Sequence, residues 1–150
     1  MRSPRFVVGL VLALSLVAPV AIAKTRTKVV WENVKVRAGD DQAAREKALA
    51  PILKKEARRA DWGDHHGDPV VASIEIRELS SVIDGDVVRV TCTAVGKLEH
   101  GRAAKSKFSF GGHPSDRAKL ETHVLELVTR GIVARLAEMS RESAKAAEKK

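Results

Sequence analysis

The densest group of side chains able to do chemistry lies between residues 61 and 68. Asp61, Asp64, His65, His66 and Asp68 bring carboxylate oxygens and imidazole nitrogens together in eight positions. These are the donor types that hold zinc or a similar divalent ion, and a bound metal could activate water for hydrolysis. The spacing matches no defined ligand motif, and two adjacent histidines point apart in most backbone conformations. The same stretch carries two glycines and ends in Pro69, the composition of a solvated loop.

A second group is Gly111-Gly112 with Arg117 and Lys119. Glycines before a helix start can present backbone N–H groups to an anion, with the two cations assisting. Asp116 competes there, because a carboxylate already occupies the positive end of the helix. Cys92 alternates in step with Val88, Val90 and Ala94, which places it on an apolar face as a core thiol rather than a nucleophile. Arg89 and Lys105 fall on the opposite, wet parity and are candidates for contact with a partner. Nucleophile-elbow, zinc-protease, Walker and dinucleotide-fold motifs are not found in the sequence. No cofactor is expected.

Composition narrows the classes further. The 150 residues carry a net charge of +8, yet the basic residues are interleaved with acids and never run four together. Two Trp, three Phe and no Tyr leave little with which to stack single-stranded nucleic acid. A single cysteine excludes an intramolecular disulfide framework.

The elements that must position these residues begin after a leader. Arg2 and Arg5 precede an apolar run from Phe6 to Ala18, then Pro19 and Ala21-Ile22-Ala23, the pattern of a secretory signal peptide over residues 1–23 cut after Ala23. A single α+β domain is expected over 24–140, with 141–150 a charged, fraying tail. Residues 28–37 read as a strand with Val30, Val34 and Val36 on one face. A helix comes next over about 41–60, capped by Asp40 or Asp41, its apolar face built from Ala44, Ala48, Leu49, Ile52, Leu53 and Ala57. Pro51 predicts a kink or a break in that helix. Residues 70–110 read as a three-stranded antiparallel meander with a tight turn at Ile83-Asp-Gly-Asp86. A long helix, capped by Ser115 or Asp116 and seamed by Leu120, Val124, Leu127, Val128, Ile132 and Leu136, runs to about Ser140. The expected fold is a two-layer α+β sandwich: a four-stranded, mostly antiparallel sheet in the order β-α-β-β-β-α, with both helices on one face.

Three stretches carry a resemblance. Asp84-Gly-Asp-Val-Val-Arg-Val-Thr-Cys92, Phe108-Ser-Phe-Gly-Gly112 and Asp116-Arg-Ala-Lys-Leu120 are similar to small exported proteins of unassigned function in myxobacteria and related deltaproteobacteria. The element order also resembles periplasmic α/β accessory domains, such as those of lipoproteins that activate penicillin-binding proteins and of transport-auxiliary lipoproteins. That resemblance implies a non-catalytic binding module of the periplasm or cell exterior that contacts envelope proteins; the leader argues against nucleic acid as a partner, and its removal is expected to leave no permanent membrane anchor. Two other expectations stand beside it: a small metal-dependent hydrolase built around the 61–68 loop, and a carrier of an anionic or lipidic ligand.

Overall fold

A computed structural model of the chain describes residues 27–37 and 41–148. The leader and its cleavage point, and Asp40, lie outside the described residues. The chain runs β1 (Val29–Val36), α1 (Gln42–Arg59), β2 (Val70–Asp84), β3 (Val87–Leu98), β4 (Ala103–Gly112), a single 3-10 turn over Pro114–Asp116, and α2 (Arg117–Ala147). The four strands form one sheet in the order β1-β2-β3-β4. β1 is parallel to β2, and the other pairings are antiparallel. A parallel neighbour needs a crossover, and α1 supplies it. The fold is therefore the expected α+β sandwich.

One apolar face accounts for the sheet's cover. Ala72, Ile74 and Ile76 of β2, with Val88, Val90, Cys92 and Ala94 of β3, are all at most 1% exposed. Val124, Val128, Ile132 and Leu136 of α2 and Leu49 and Leu53 of α1 close over them in a single core. Gly96 lets α2 approach β3 closely: a Cβ there would stand 2.5 Å from Ile132 Cγ2 and 2.9 Å from Leu136 Cδ1. The β2–β3 turn places Gly85 first of its two central residues with φ +58°, the conformation that glycine adopts without steric cost.

Several local expectations are corrected. In β1 the pairing steps from Trp31↔Ala72 to Asn33↔Ser73, so Glu32 is the extra residue of a bulge. A bulge breaks the two-residue period. Val29 and Trp31 therefore turn toward the core together with Val34 and Val36, whereas Val30 turns out and is 38% exposed. A second bulge sits at Arg77, between Ile76↔Ala94 and Glu78↔Thr93.

Helix α1 passes through Pro51 without a break. Pro51 and Lys47, whose carbonyl loses its usual donor, both lie on the exposed side, where water can satisfy that oxygen. Ala44 and Ala48 are exposed, and Glu56 is buried in their stead, against Arg59 at 3.6 Å and Arg130 of α2 at 3.4 Å. Asp41 caps α1 by accepting from the Ala44 N–H. Asp116 stands at the cap position of α2, but its carboxylate makes no cap hydrogen bond. His113 caps the preceding 3-10 turn. α2 continues past Ser140 to Ala147, so residues 141–147 are helical.

Candidate functional site

The loop from Asp61 to Pro69 is fixed by its own polar groups. Asp61 Oδ1 accepts from the Gly63 N–H at 3.1 Å, and Asp64 Oδ1 accepts from the His66 N–H at 2.9 Å. His66 takes a left-handed conformation, with φ 51°. His65 turns inward. Its Nε2 lies 2.7 Å from Ser140 Oγ and 3.1 Å from the Trp62 carbonyl oxygen, to which Ser140 Oγ donates at 2.9 Å. With the serine proton committed to that carbonyl, Nε2 carries a proton and donates. The Asp68 N–H closes the loop on the His65 carbonyl at 2.9 Å.

Of the five candidate metal ligands, the side chains of Asp61, Asp64 and His65 are thus engaged in turns and in a latch onto α2, whereas His66 and Asp68 enter the loop's hydrogen bonds through their backbone N–H groups. Among the described residues no group of three or more His, Cys, Asp or Glu side chains is placed to hold a metal ion. The anion candidates are likewise drawn into the fold. Gly111 and Gly112 are the last residues of β4, and a Cβ on Gly112 would stand 2.6 Å from Leu120 Cδ1, so that glycine makes room for the helix. Arg117 pairs with Glu121 at 3.0 Å and Lys119 with Asp116 at 3.5 Å. Arg89 and Lys105 are both exposed on the open sheet face, but Lys105 lies opposite Val95, six residues from Arg89 along β3. That separation is about 20 Å at the rise of a strand, so the two do not form one patch. Cys92 is fully buried. Burial first, and then the nearby Glu78 carboxylate, push its thiol up to about 12, which keeps it protonated and unreactive.

A concave feature of the described residues lies elsewhere, where four separated segments meet. A groove of about 1220 Å³ opens between the start of β1, the last turns of α1, the 61–64 loop and the end of α2. Its floor holds Val29, Trp31, Ala57 and Ala60, with Trp62 beneath. The two indoles meet edge to face, with centroids 6.4 Å apart and planes at 79°. Trp62 is 3% exposed, and its Nε1–H donates to the Ala57 carbonyl at 2.9 Å, so it is a fixed wall. Trp31, only partly buried, is the accessible aromatic surface.

The rim comes from two helix stripes. Lys54 and Arg58 are spaced as neighbours on one face of α1, and Arg141, Lys145 and Glu148 continue the same spacing along the end of α2. Arg141 ties the rim together by reaching Asp61 Oδ2 at 3.4 Å. Thr27 Oγ1 donates to the Gly63 carbonyl at 2.5 Å and fastens the start of β1 to the loop.

Sequence reasoning missed this groove. Its one legible sign was Trp62, a large apolar residue in a run of Asp, Gly and His that must find cover from another segment.

The sequence matches no family model and no curated protein. The fold is similar to a minor lipoprotein from Acinetobacter baumannii, at 11% identity over 77% of this chain and 95% of that one, with a TM-score of 0.32. A hypothetical protein from Chlamydia trachomatis aligns at 11% identity over 77% and 98%, with a TM-score of 0.44. A Xanthomonas campestris protein of family DUF330 aligns at 13% identity over 83% and 85%, with a TM-score of 0.39.

Proposed function

We propose that the protein is an exported, non-catalytic binding module that acts through protein contacts in the cell envelope, with the groove at the Trp31–Trp62 pair as its docking surface. The leader pattern in residues 1–23 supports export. The observation that carries the docking role is the assembly of the groove from four segments, with a fixed indole wall, an accessible indole and a charged rim. Aromatic anchors surrounded by polar and charged groups are the usual anatomy of protein-binding surfaces.

The groove speaks against a lipid carrier. Such a ligand needs a largely enclosed apolar site that buries most of its surface. Here eight of the 16 lining residues are charged.

Site-specific photo-crosslinking in cells of native origin tests the reading. A photoreactive amino acid in place of Ala144 should give one or a few discrete protein adducts. Adducts from Lys105 but not from position 144 would move the docking surface to the open sheet face. Absence of discrete adducts at both would overturn the binding-module reading.

A further inference from the structure

We infer that the groove takes an acidic segment of its partner, anchored by an apolar side chain against Trp31; this rests on the groove being a docking surface. The argument is one of charge and geometry. Lys28, Lys54, Arg58, Arg141 and Lys145 line the groove against Asp61, Asp64 and Glu148. These five cations face only three carboxylates, so the described lining keeps an excess of two positive charges. Asp61 is held by Arg141 and the Gly63 N–H, and Asp64 by the His66 N–H.

Lys28, Lys54, Arg58 and Lys145 are exposed and pair with no carboxylate among the described residues. These four cations around an apolar floor repel a basic partner and favour a carboxylate-bearing one. Such a charge pattern selects partners and speeds their encounter. Two helix stripes flanking a strand floor leave a trough open at its top, which suits a chain segment laid along it. The accessible indole of Trp31, beside Val29 and Ala57, gives one leucine- or phenylalanine-sized side chain a place to desolvate.

The composition supplies the readout. Trp31 and Trp62 are the only tryptophans, and the chain has no tyrosine, so intrinsic emission reports on this groove alone. The probe is a synthetic tryptophan-free peptide of alternating Glu and Leu, titrated into the full mature protein. A peptide with Gln for Glu, and vesicles of phosphatidylglycerol, are run alongside.

The Glu peptide should shift the emission saturably, with an affinity that falls as salt rises. The double variant Lys54→Glu/Arg58→Glu changes only exposed side chains and should keep the parent's melting temperature while weakening binding at least about tenfold. Equal binding of the Gln peptide, or an unchanged affinity in the double variant, would overturn the acidic-segment inference. A response to the vesicles alone would replace the peptide with an anionic lipid surface. A response to none of the three would also overturn the inference. In that case discrete adducts from position 144 would still uphold a docking groove for a partner of other chemistry.

Discussion

His65 Nε2 and Ser140 Oγ, 75 residues apart in the chain, meet at 2.7 Å and share the Trp62 carbonyl between them. This contact fixes the 61–69 loop to α2 and holds the indole of Trp62 in place as the groove's wall. Ser140 is 1% exposed, so its removal strands polar groups that water cannot reach. Ser140→Ala should cost about 1–3 kcal/mol in urea unfolding and shift the emission of the folded state, because the loop around Trp62 loosens. Unfolding coincident with the parent would show that the latch contributes no stability.

The close seat of α2 on β3 gives a sharper test. Gly96→Ala puts a methyl group into Ile132 and Leu136, and should destabilise by about 1–3 kcal/mol despite the gain in apolar surface. Val128→Asp, at a site with no exposure, should prevent folding altogether by placing an unpaired charge in the core. If Val128→Asp melts like the parent by circular dichroism, α2 does not cover the sheet.

Cys92 ties the core to pH. Its thiol titrates ordinarily at 9.0 and in the fold at about 12. The folded state therefore holds a proton that the unfolded chain releases between those values. Stability from this group is complete below pH 9 and falls as pH rises toward 12. Cys92→Ala should flatten that part of the stability curve. In the parent, a thiol reagent at neutral pH should label slowly until denaturant is added. Rapid labelling of the folded protein would contradict the burial.

The open sheet face should be indifferent to small changes. Arg89→Ala and Lys105→Ala should each leave stability within about 0.5 kcal/mol, since neither side chain is buried. A chelator should likewise leave the melting temperature unchanged. A drop reversed by zinc would mean that the His65–His66 loop holds a structural metal, whose binding energy adds to folding.

How much of this was readable depends on the range of the interaction. The first half of β2, strand β3 and the seam of α2 were legible because Ala72, Ile74, Ile76, Val88, Val90, Val124 and Val128 keep an unbroken period against one core. The period fails at Glu32 and Arg77, where one extra residue reverses the facing of the rest of the strand, and no local pattern announces a bulge. Glu56 was hidden for a different reason: its burial depends on Arg130, which reaches it from another helix. The groove was the least legible feature. Trp31 and Trp62 belong to segments that each read as ordinary, and their meeting is a tertiary event.

The parallel pairing of β1 has a consequence for the order of assembly. The meander β2-β3-β4 is joined by short turns, whereas Val29 meets Val70 only after about forty residues of intervening chain have been ordered. Closing the longer loop costs more chain entropy and delays the contact that compensates for it. β1 should therefore dock last and detach first. Because Val29 and Trp31 floor the groove, the docking surface comes into being at the final step of folding, and a chain whose core has formed but whose edge has not would be unable to engage a partner. Pulsed hydrogen exchange during refolding should show the amides of β3 protected before those of β1.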